Sequence, residues 1–136
     1  MNETCTRCGY VGDKLCQRNG ETLCYECVLT EDGQPTVEDH HALGRKNSED
    51  TVTVPGNLHR YLSARQRAWP TSLRENVRRD PLLTLAALVR SFADLASYAA
   101  RHFYRFSDAL VALYHALVEK LGPDYWTDLG LGPLWA

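Results

Sequence analysis

The chain has 136 residues, of which 44% are hydrophobic and 24% are charged, and its formal net charge is -2. This length fits one domain or two very small ones, and the composition is ordinary for a soluble globular protein. The low net charge argues against a uniformly basic nucleic-acid binder.

Charge is distributed unevenly along the chain. Residues 1–56 carry five Lys/Arg against ten Asp/Glu, a net of -5, whereas residues 57–79 carry six Arg against one Glu, a net of +5. An acidic part beside an Arg-rich segment suits a polyanionic ligand. The start of the chain lacks the apolar core of a signal peptide, and no window of about 20 residues is free of charge. We therefore expect a cytoplasmic protein without a transmembrane helix.

Two Cys-x-x-Cys elements, fifteen residues apart, dominate residues 1–34. They are Cys5 with Cys8, and Cys24 with Cys27. Without an export signal, such pairs indicate metal ligands before disulfides, and four thiolates complete a closed, structural zinc site. Two disulfides are the alternative. Gly9 suits the left-handed turn that closes the first knuckle, the turn formed by Cys5 to Cys8. We interpret the remaining Cys16 as a small buried thiol.

The segment between the cysteine pairs predicts two short strands, 10–16 and 21–24. Asn19-Gly20 between them is a strong hairpin signal. A ribbon this short cannot build its own core, so the metal substitutes for buried area.

Residues 35–69 predict a strand, a loop, a second strand and a helix. The first strand covers 35–41 and the second covers 51–54, where β-branched residues are frequent. From Asn57, apolar residues recur at three- and four-residue spacing as far as Trp69, which favours a helix, and Asn57 is a good N-cap. His59 would lie in the first turn of that helix, where a packed hairpin can bring His40 or His41 within coordination reach.

Residues 36–65 contain Asp39-His40-His41, then Asn47 and Asp50, then His59. In this order they resemble the HNH (ββα-metal) nuclease motif. Members of that family carry an Asp-His or His-His pair on the first strand, a middle Asn or substitute, and a final His on the helix. Many members continue as Cys-Pro-Asn-Cys-His where this chain has Pro55-Gly56-Asn57-Leu58-His59. Those two cysteines, which often bind zinc in the family, are missing here, and Cys24 and Cys27 supply them earlier in the chain.

The resemblance implies roles for these residues. His59 would be a metal ligand; His40 would be the second ligand and His41 the general base, or else Asp39 the ligand and His40 the base. Two residues are candidates for the middle residue of the motif. Asp50 lies nine residues before His59, which is the family's usual spacing, whereas Asn47 has the right chemistry but lies twelve residues before His59. The middle residue would constrain the loop and orient the base. The catalytic cation is left open among Mg²⁺, Mn²⁺, Ni²⁺ and Zn²⁺.

The arginines of residues 57–79 suit phosphate contact, because guanidinium offers two donors to phosphate oxygens. The alternative is that these arginines form a solvated helix face without a ligand. The candidate DNA-binding residues are Arg60, closest to His59, then Arg45, Lys46, Arg65 and Arg67.

Residues 70–136 predict helices. A short basic helix over 72–79 is followed by Asp80-Pro81, a good N-cap and first-turn pair, and Gly122 then serves as a C-cap. The stretch between is one long helix or two, with Ser107-Asp108 as the break. Its apolar coverage exceeds the stripe of a surface helix, which predicts a homodimer, docking of a protein partner, or a helix pair closing on the module before it. The last piece, 125–135, is short and amphipathic.

We therefore expect an α+β protein with three regions: a zinc ribbon (1–34), a ββα-metal module (35–69) and a helical tail (70–136). The expected function is that of a metal-dependent HNH-type endonuclease that hydrolyses phosphodiester bonds of DNA. The alternative is a non-catalytic zinc-ribbon DNA-binding or adaptor protein that retains the ββα shell.

Overall fold

A computed structural model describes residues 3–12, 15–128 and 130. Helices account for 54% of the structure and strands for 15%, in small antiparallel sheets, so the α+β prediction is confirmed. The chain divides into two compact units, residues 1–98 and residues 99–136.

The N-terminal ribbon contains two antiparallel strand pairs. Strand β1 (Glu3–Thr4) pairs with β2 (Val11–Gly12), and β3 (Cys16–Arg18) pairs with β4 (Glu21–Leu23). The β3–β4 turn has φ of 52° at Asn19 and 80° at Gly20, as a two-residue hairpin of the predicted kind requires. Gly9 has φ of 73°, so the predicted left-handed turn after the first knuckle is confirmed.

The ribbon continues into a helix that the sequence did not predict. Helix α1 (Tyr25–Glu31) starts directly after Cys24, which lies at its N-cap. Its seven residues include Cys27, so the second cysteine pair straddles the helix start. The buried residues of the ribbon are Cys5, Leu23 and Cys24, which shows how small its apolar core is.

Two strands and a helix follow in the predicted order. Strand β5 (Val37–His40) pairs antiparallel with β6 (Val52–Pro55), and His40 lies opposite Val52. Helix α2 (Gly56–Arg67) begins directly after β6 and packs against both strands. Because side chains alternate along a strand, Glu38 and His40 face α2.

Helices α1 and α2 meet at their N-termini. The backbone N–H of Glu26 donates to Asn57 Oδ1 at 3.3 Å, and the backbone N–H of Asn57 donates to Glu26 Oε1 at 3.0 Å. The prediction that Asn57 caps its own helix is therefore wrong: Pro55 holds the N-cap position of α2, and the Asn57 side chain satisfies a free N–H of α1. A Cβ on Gly56 would lie 3.1 Å from Tyr25 Cδ1, so glycine permits this close approach.

A short helix and a long one complete the fold. Helix α3 (Thr71–Arg74) is shorter than the predicted 72–79. Helix α4 (Pro81–Leu121) is continuous, so the alternative of two helices broken at Ser107-Asp108 is wrong. Asp80 Oδ1 accepts from the backbone N–H groups of Leu82 and Leu83, which confirms the predicted cap.

A buried acid joins the start of α4 to the rest of the first unit. Asp94 is 2% exposed, and its carboxylate accepts from Arg65 Nε at 2.9 Å and from Trp69 Nε1 at 2.8 Å. Trp69 packs with Leu73 and Ala87 in the apolar cluster beneath. Polar pairing therefore fixes this part of α4 against the end of α2.

The second unit consists of residues 99–121 of α4 and the short helix α5 (Tyr125–Asp128). Gly122 has φ of 90° and donates its N–H to the carbonyl of Val118, as the predicted C-cap requires. The end of the predicted terminal piece, including Trp135, lies outside the described residues.

Helix α4 is long and apolar enough, by length and composition, to cross a membrane. Its most apolar window has a mean hydropathy of 1.3 and is 11% buried. Core helices of soluble proteins meet the same criterion, so the finding is weak evidence for a membrane. The cytoplasmic location stays a prediction. A small chain with a cysteine cluster that can hold a metal ion is compatible with it.

Candidate functional site

The four predicted cysteine ligands form a cluster that can hold a metal ion such as zinc. Their sulfur atoms all lie within 4.8 Å of one another, with 3.7 Å between Cys5 and Cys27 and 3.6 Å between Cys8 and Cys24. Four sulfurs at about 2.3 Å from a tetrahedral zinc are about 3.8 Å apart, so the spacing fits. All five cysteines are free thiols, and the alternative of two disulfides is wrong.

The electrostatics of the cluster also suit a metal. Burial raises the pKa of the Cys5 thiol, but backbone hydrogen bonds at Cys24, Cys8 and Arg7 outweigh it and bring the pKa down to about 6. Burial and the neighbouring thiols raise the pKa of Cys27. Negative charge on several thiolates this close together is unfavourable unless a cation lies between them. The fifth cysteine, Cys16, lies outside the cluster.

The histidines of β5 and α2 meet where the strand ends. His40 is 3% exposed, and its ring lies edge-on to that of His59 with 5.3 Å between the centroids. His40 Nε2 is buried and has no hydrogen-bond partner. Burial and the neighbouring His59 and His41 lower the pKa of His40. The imidazole is therefore neutral near pH 7 and offers a lone pair to a ligand.

Glu38 lies beside the Nδ1 atom of His59. Its Oε2 lies 2.8 Å from His59 Nδ1, at ion-pair distance although outside hydrogen-bond geometry, and its Oε1 accepts from the Tyr25 hydroxyl at 3.1 Å. A carboxylate beside Nδ1 favours the tautomer with the proton on Nδ1, which leaves the lone pair on Nε2 free for a ligand. Asp39 points to the other face of β5, where its Oδ1 accepts from Thr53 Oγ1.

The histidines line a cleft of about 380 Å³. Its wall also carries three arginines, one from the loop after β5, one from the end of α2 and one from α3. The lining residues are Asp39, His40, His41, Gly44, Arg45, His59, Ser63, Gln66, Arg67, Trp69, Leu73 and Arg74. Imidazoles with three guanidinium groups form a surface that suits an anion.

The other predicted DNA-binding residues lie outside this lining. Arg60 stacks over the Tyr25 ring, with Cζ 4.4 Å from the ring centroid, and Arg65 binds the buried Asp94. Lys46 is exposed in the loop. Arg60 and Arg65 have structural partners that account for their positions, and contact of these three residues with DNA stays a prediction.

Asn47 braces the loop after β5. It is 5% exposed; its Nδ2 donates to the carbonyls of Leu43 and Leu73, and its Oδ1 accepts from Asn76 Nδ2 at 2.8 Å. Asp50 is exposed and accepts from Ser48 Oγ. Of the two candidates for the middle residue, Asn47 is the one placed to constrain the loop.

Gln66 of α2 holds the backbone directly after β5. Its Nε2 donates to the carbonyls of His41 and Ala42 at 2.8 Å and 3.1 Å. The His41 side chain lines the cleft, and its Nδ1 is buried without a hydrogen-bond partner. The base candidate is thus fixed through its main chain.

Within residues 3–12, 15–128 and 130, the four cysteines are the cluster whose ligand atoms lie close enough together to hold a metal; the histidines with Asp39 or Glu38 do not form a second one. No family model, curated protein or solved structure matches this chain. The resemblance to HNH nucleases is therefore carried by the residues alone.

Sequence reasoning missed three site residues. Strand alternation, which places Glu38 on the face of His40, was a usable signal. Gln66 and Asn76 reach the site only through tertiary packing. Asn76 is 29 residues from its partner Asn47, and nothing in the local pattern of the sequence marks that pairing.

Proposed function

We propose that this protein is a metal-dependent endonuclease that hydrolyses phosphodiester bonds of DNA, with a structural zinc ion on its four cysteines. The observation that carries the proposal is the meeting of His40 and His59 in the wall of a cleft that arginines also line. The strand, strand and helix that bring them together are the elements expected for a ββα-metal module.

In this proposal His40 and His59 would hold a divalent cation through Nε2. Two features support them as ligands: His40 Nε2 is buried without a partner, and Glu38 lies behind His59 Nδ1. A carboxylate behind a metal-bound imidazole is a common arrangement. A bound cation would stabilise negative charge on the phosphate and on the leaving oxygen.

His41 acts as the general base. It takes a proton from a water whose oxygen attacks phosphorus, while the bond between phosphorus and the leaving oxygen breaks. Gln66 and Asn47 keep the loop that carries His41 in place. Arg45, Arg67 and Arg74 line the same cleft and hold the phosphate by charge-assisted hydrogen bonds.

Incubation of supercoiled plasmid with Mg²⁺, Mn²⁺ or Ni²⁺ tests the function. We expect nicking by the intact chain, and a loss of about 10²–10⁴-fold in rate for His41→Ala, because that is the range of general-base catalysis. His115→Ala is the matched control, since His115 lies in the second unit and is exposed. Equal rates for His41→Ala and the intact chain would contradict the assignment of the base.

The second candidate function is a DNA-binding or adaptor protein that keeps the ββα shell without catalysis. It is favoured by the observation that, in the described part of the chain, the histidine site does not gather three ligand atoms as closely as the cysteine site does. Binding of labelled DNA without cleavage under every cation would favour this candidate over the nuclease.

A further inference from the structure

Helix α4 carries an unbroken heptad repeat. From Leu82 onward, apolar residues alternate at spacings of three and four as far as Leu117. We call these positions the seam; they are Leu82, Leu85, Val89, Phe92, Ala96, Ala99, Phe103, Phe106, Leu110, Leu113 and Leu117. A repeat with period 3.5 sustained over five heptads is the pattern with which helices pair in coiled coils.

The large seam residues are open to solvent. In the first unit, Leu82, Leu85, Val89 and Phe92 are 56–73% exposed, and in the second unit Phe103, Phe106, Leu110 and Leu113 are 50–73% exposed. The three phenylalanines alone expose roughly 400 Å², about half of the roughly 800 Å² per partner that a stable interface buries. The five large aliphatic residues of the seam, which are also exposed, supply the rest.

The charges of α4 avoid the seam. Between 82 and 117 the charged residues are Arg90, Asp94, Arg101, Arg105 and Asp108. In heptad positions they all fall on the b, c and f sites, away from the seam, and the e and g sites beside the seam carry none. The partner of this surface therefore needs an apolar face of its own and needs no complementary charge.

We propose that α4 pairs antiparallel with α4 of a second copy of this chain. In an antiparallel pair the first position of one heptad faces the fourth position of another. With the twofold axis near Arg101, Ala96 then faces Phe106 and Ala99 faces Phe103 of the second copy, while Phe92 faces Leu110. Each phenylalanine meets a smaller residue, as dense packing requires.

A parallel pair or a membrane fits the same surface less well. Parallel pairing places Phe103 on Phe103 next to Ala99 on Ala99, which combines overpacking with a void. A membrane-spanning stretch at the apolar start of α4 would include Arg90 and Asp94, and Asp94 is already buried against Arg65 and Trp69 of the first unit.

Light scattering of the full chain at tens of micromolar tests the pairing. We expect twice the chain mass of 15.4 kDa. Leu110→Asp should weaken the dimer about a hundredfold or more, because it places a charge in the seam. Val111→Asp is the matched control: Val111 is adjacent and equally exposed, at 52% against 50%, but lies off the seam, so the mass should stay at two chains.

A charge exchange tests the orientation. Phe92→Glu and Leu110→Lys should each give monomers, and the double variant should recover dimers at least tenfold better than either single variant, because the two new charges face each other only in the antiparallel pair. Failure of the double variant to recover would overturn the antiparallel arrangement. A single-chain mass for the unaltered protein, with or without binding to lipid vesicles, would overturn the pairing itself.

Discussion

Two neighbouring acids on β5 make different contacts. Glu38 lies 2.8 Å from His59 and accepts from Tyr25, whereas Asp39 accepts from Thr53 on the opposite face. The alternation of the strand alone separates them. For a metal bound by His40 and His59, Glu38 is therefore the acid that orients a ligand, although the sequence drew attention to Asp39.

Metal affinity distinguishes these two acids. We expect Glu38→Ala to weaken Mn²⁺ binding by about 10–100-fold, as removal of a carboxylate behind a metal-bound histidine does, and Asp39→Ala to weaken it much less. Calorimetric titration of the zinc-loaded chain measures both. The reverse order would identify Asp39 as a ligand.

Substitutions at Asn47 and at Asp50 should differ in their effect on the free energy of unfolding. Asn47→Ala leaves buried polar groups of Leu43, Leu73 and Asn76 with fewer partners, which should lower the free energy of unfolding by about 2–3 kcal/mol. The exposed Asp50→Ala should stay within about 0.5 kcal/mol. Urea unfolding followed by circular dichroism compares them; equal losses would mean that Asn47 does not brace the loop.

At the scale of elements, the ribbon positions the start of α2. Tyr25 and Glu26 of α1 contact Glu38 and Asn57, and Gly56 permits the helices to touch. The four cysteines fix α1, since Cys24 and Cys27 flank its start. A metal on the cysteines therefore supports the histidine site indirectly.

Loss of the cysteine metal should loosen α2. We expect Cys8→Ser to reduce hydrogen-exchange protection of the Asn57 amide at least tenfold, because its acceptor Glu26 loses a fixed position. Cys16→Ser, which removes a cysteine outside the cluster, should leave protection unchanged. Unchanged protection in Cys8→Ser would show that α1 docks without the metal.

Local signals located most of the elements, and long-range contacts explain much of the rest. The predicted strand over 10–16 is wrong, because Val11–Gly12 and Cys16–Arg18 are separate strands that pair with different partners. Asn19-Gly20, Asp80 and Gly122 mark a turn and two helix ends through their own backbone chemistry, so the sequence located them. Helix α1 was missed because seven residues carry little periodicity. Asn57 was assigned to the wrong helix because its acceptor role depends on Glu26, 31 residues away. The roles of the histidines in catalysis are still predictions.

At the scale of the whole molecule, the proposed dimer gives the protein two clefts. If each cleft cuts one strand, Leu110→Asp should keep the rate of plasmid nicking but lose most of the linear product, because separate chains must then find opposite strands independently. Val111→Asp should retain both products. The ratio of linear to nicked plasmid during the first turnover measures this effect, and an unchanged ratio in Leu110→Asp would separate dimerisation from cleavage.

The dependence of plasmid cleavage on Mn²⁺ concentration tests the central claim most directly. If His40 and His59 hold the catalytic cation, His59→Ala should raise the Mn²⁺ concentration for half-maximal rate by at least about tenfold, while the four-cysteine site stays loaded with zinc. His115→Ala should give the curve of the unaltered chain. Identical curves for His59→Ala and the unaltered chain, or no cleavage by the unaltered chain at any Mn²⁺ concentration, would contradict the account.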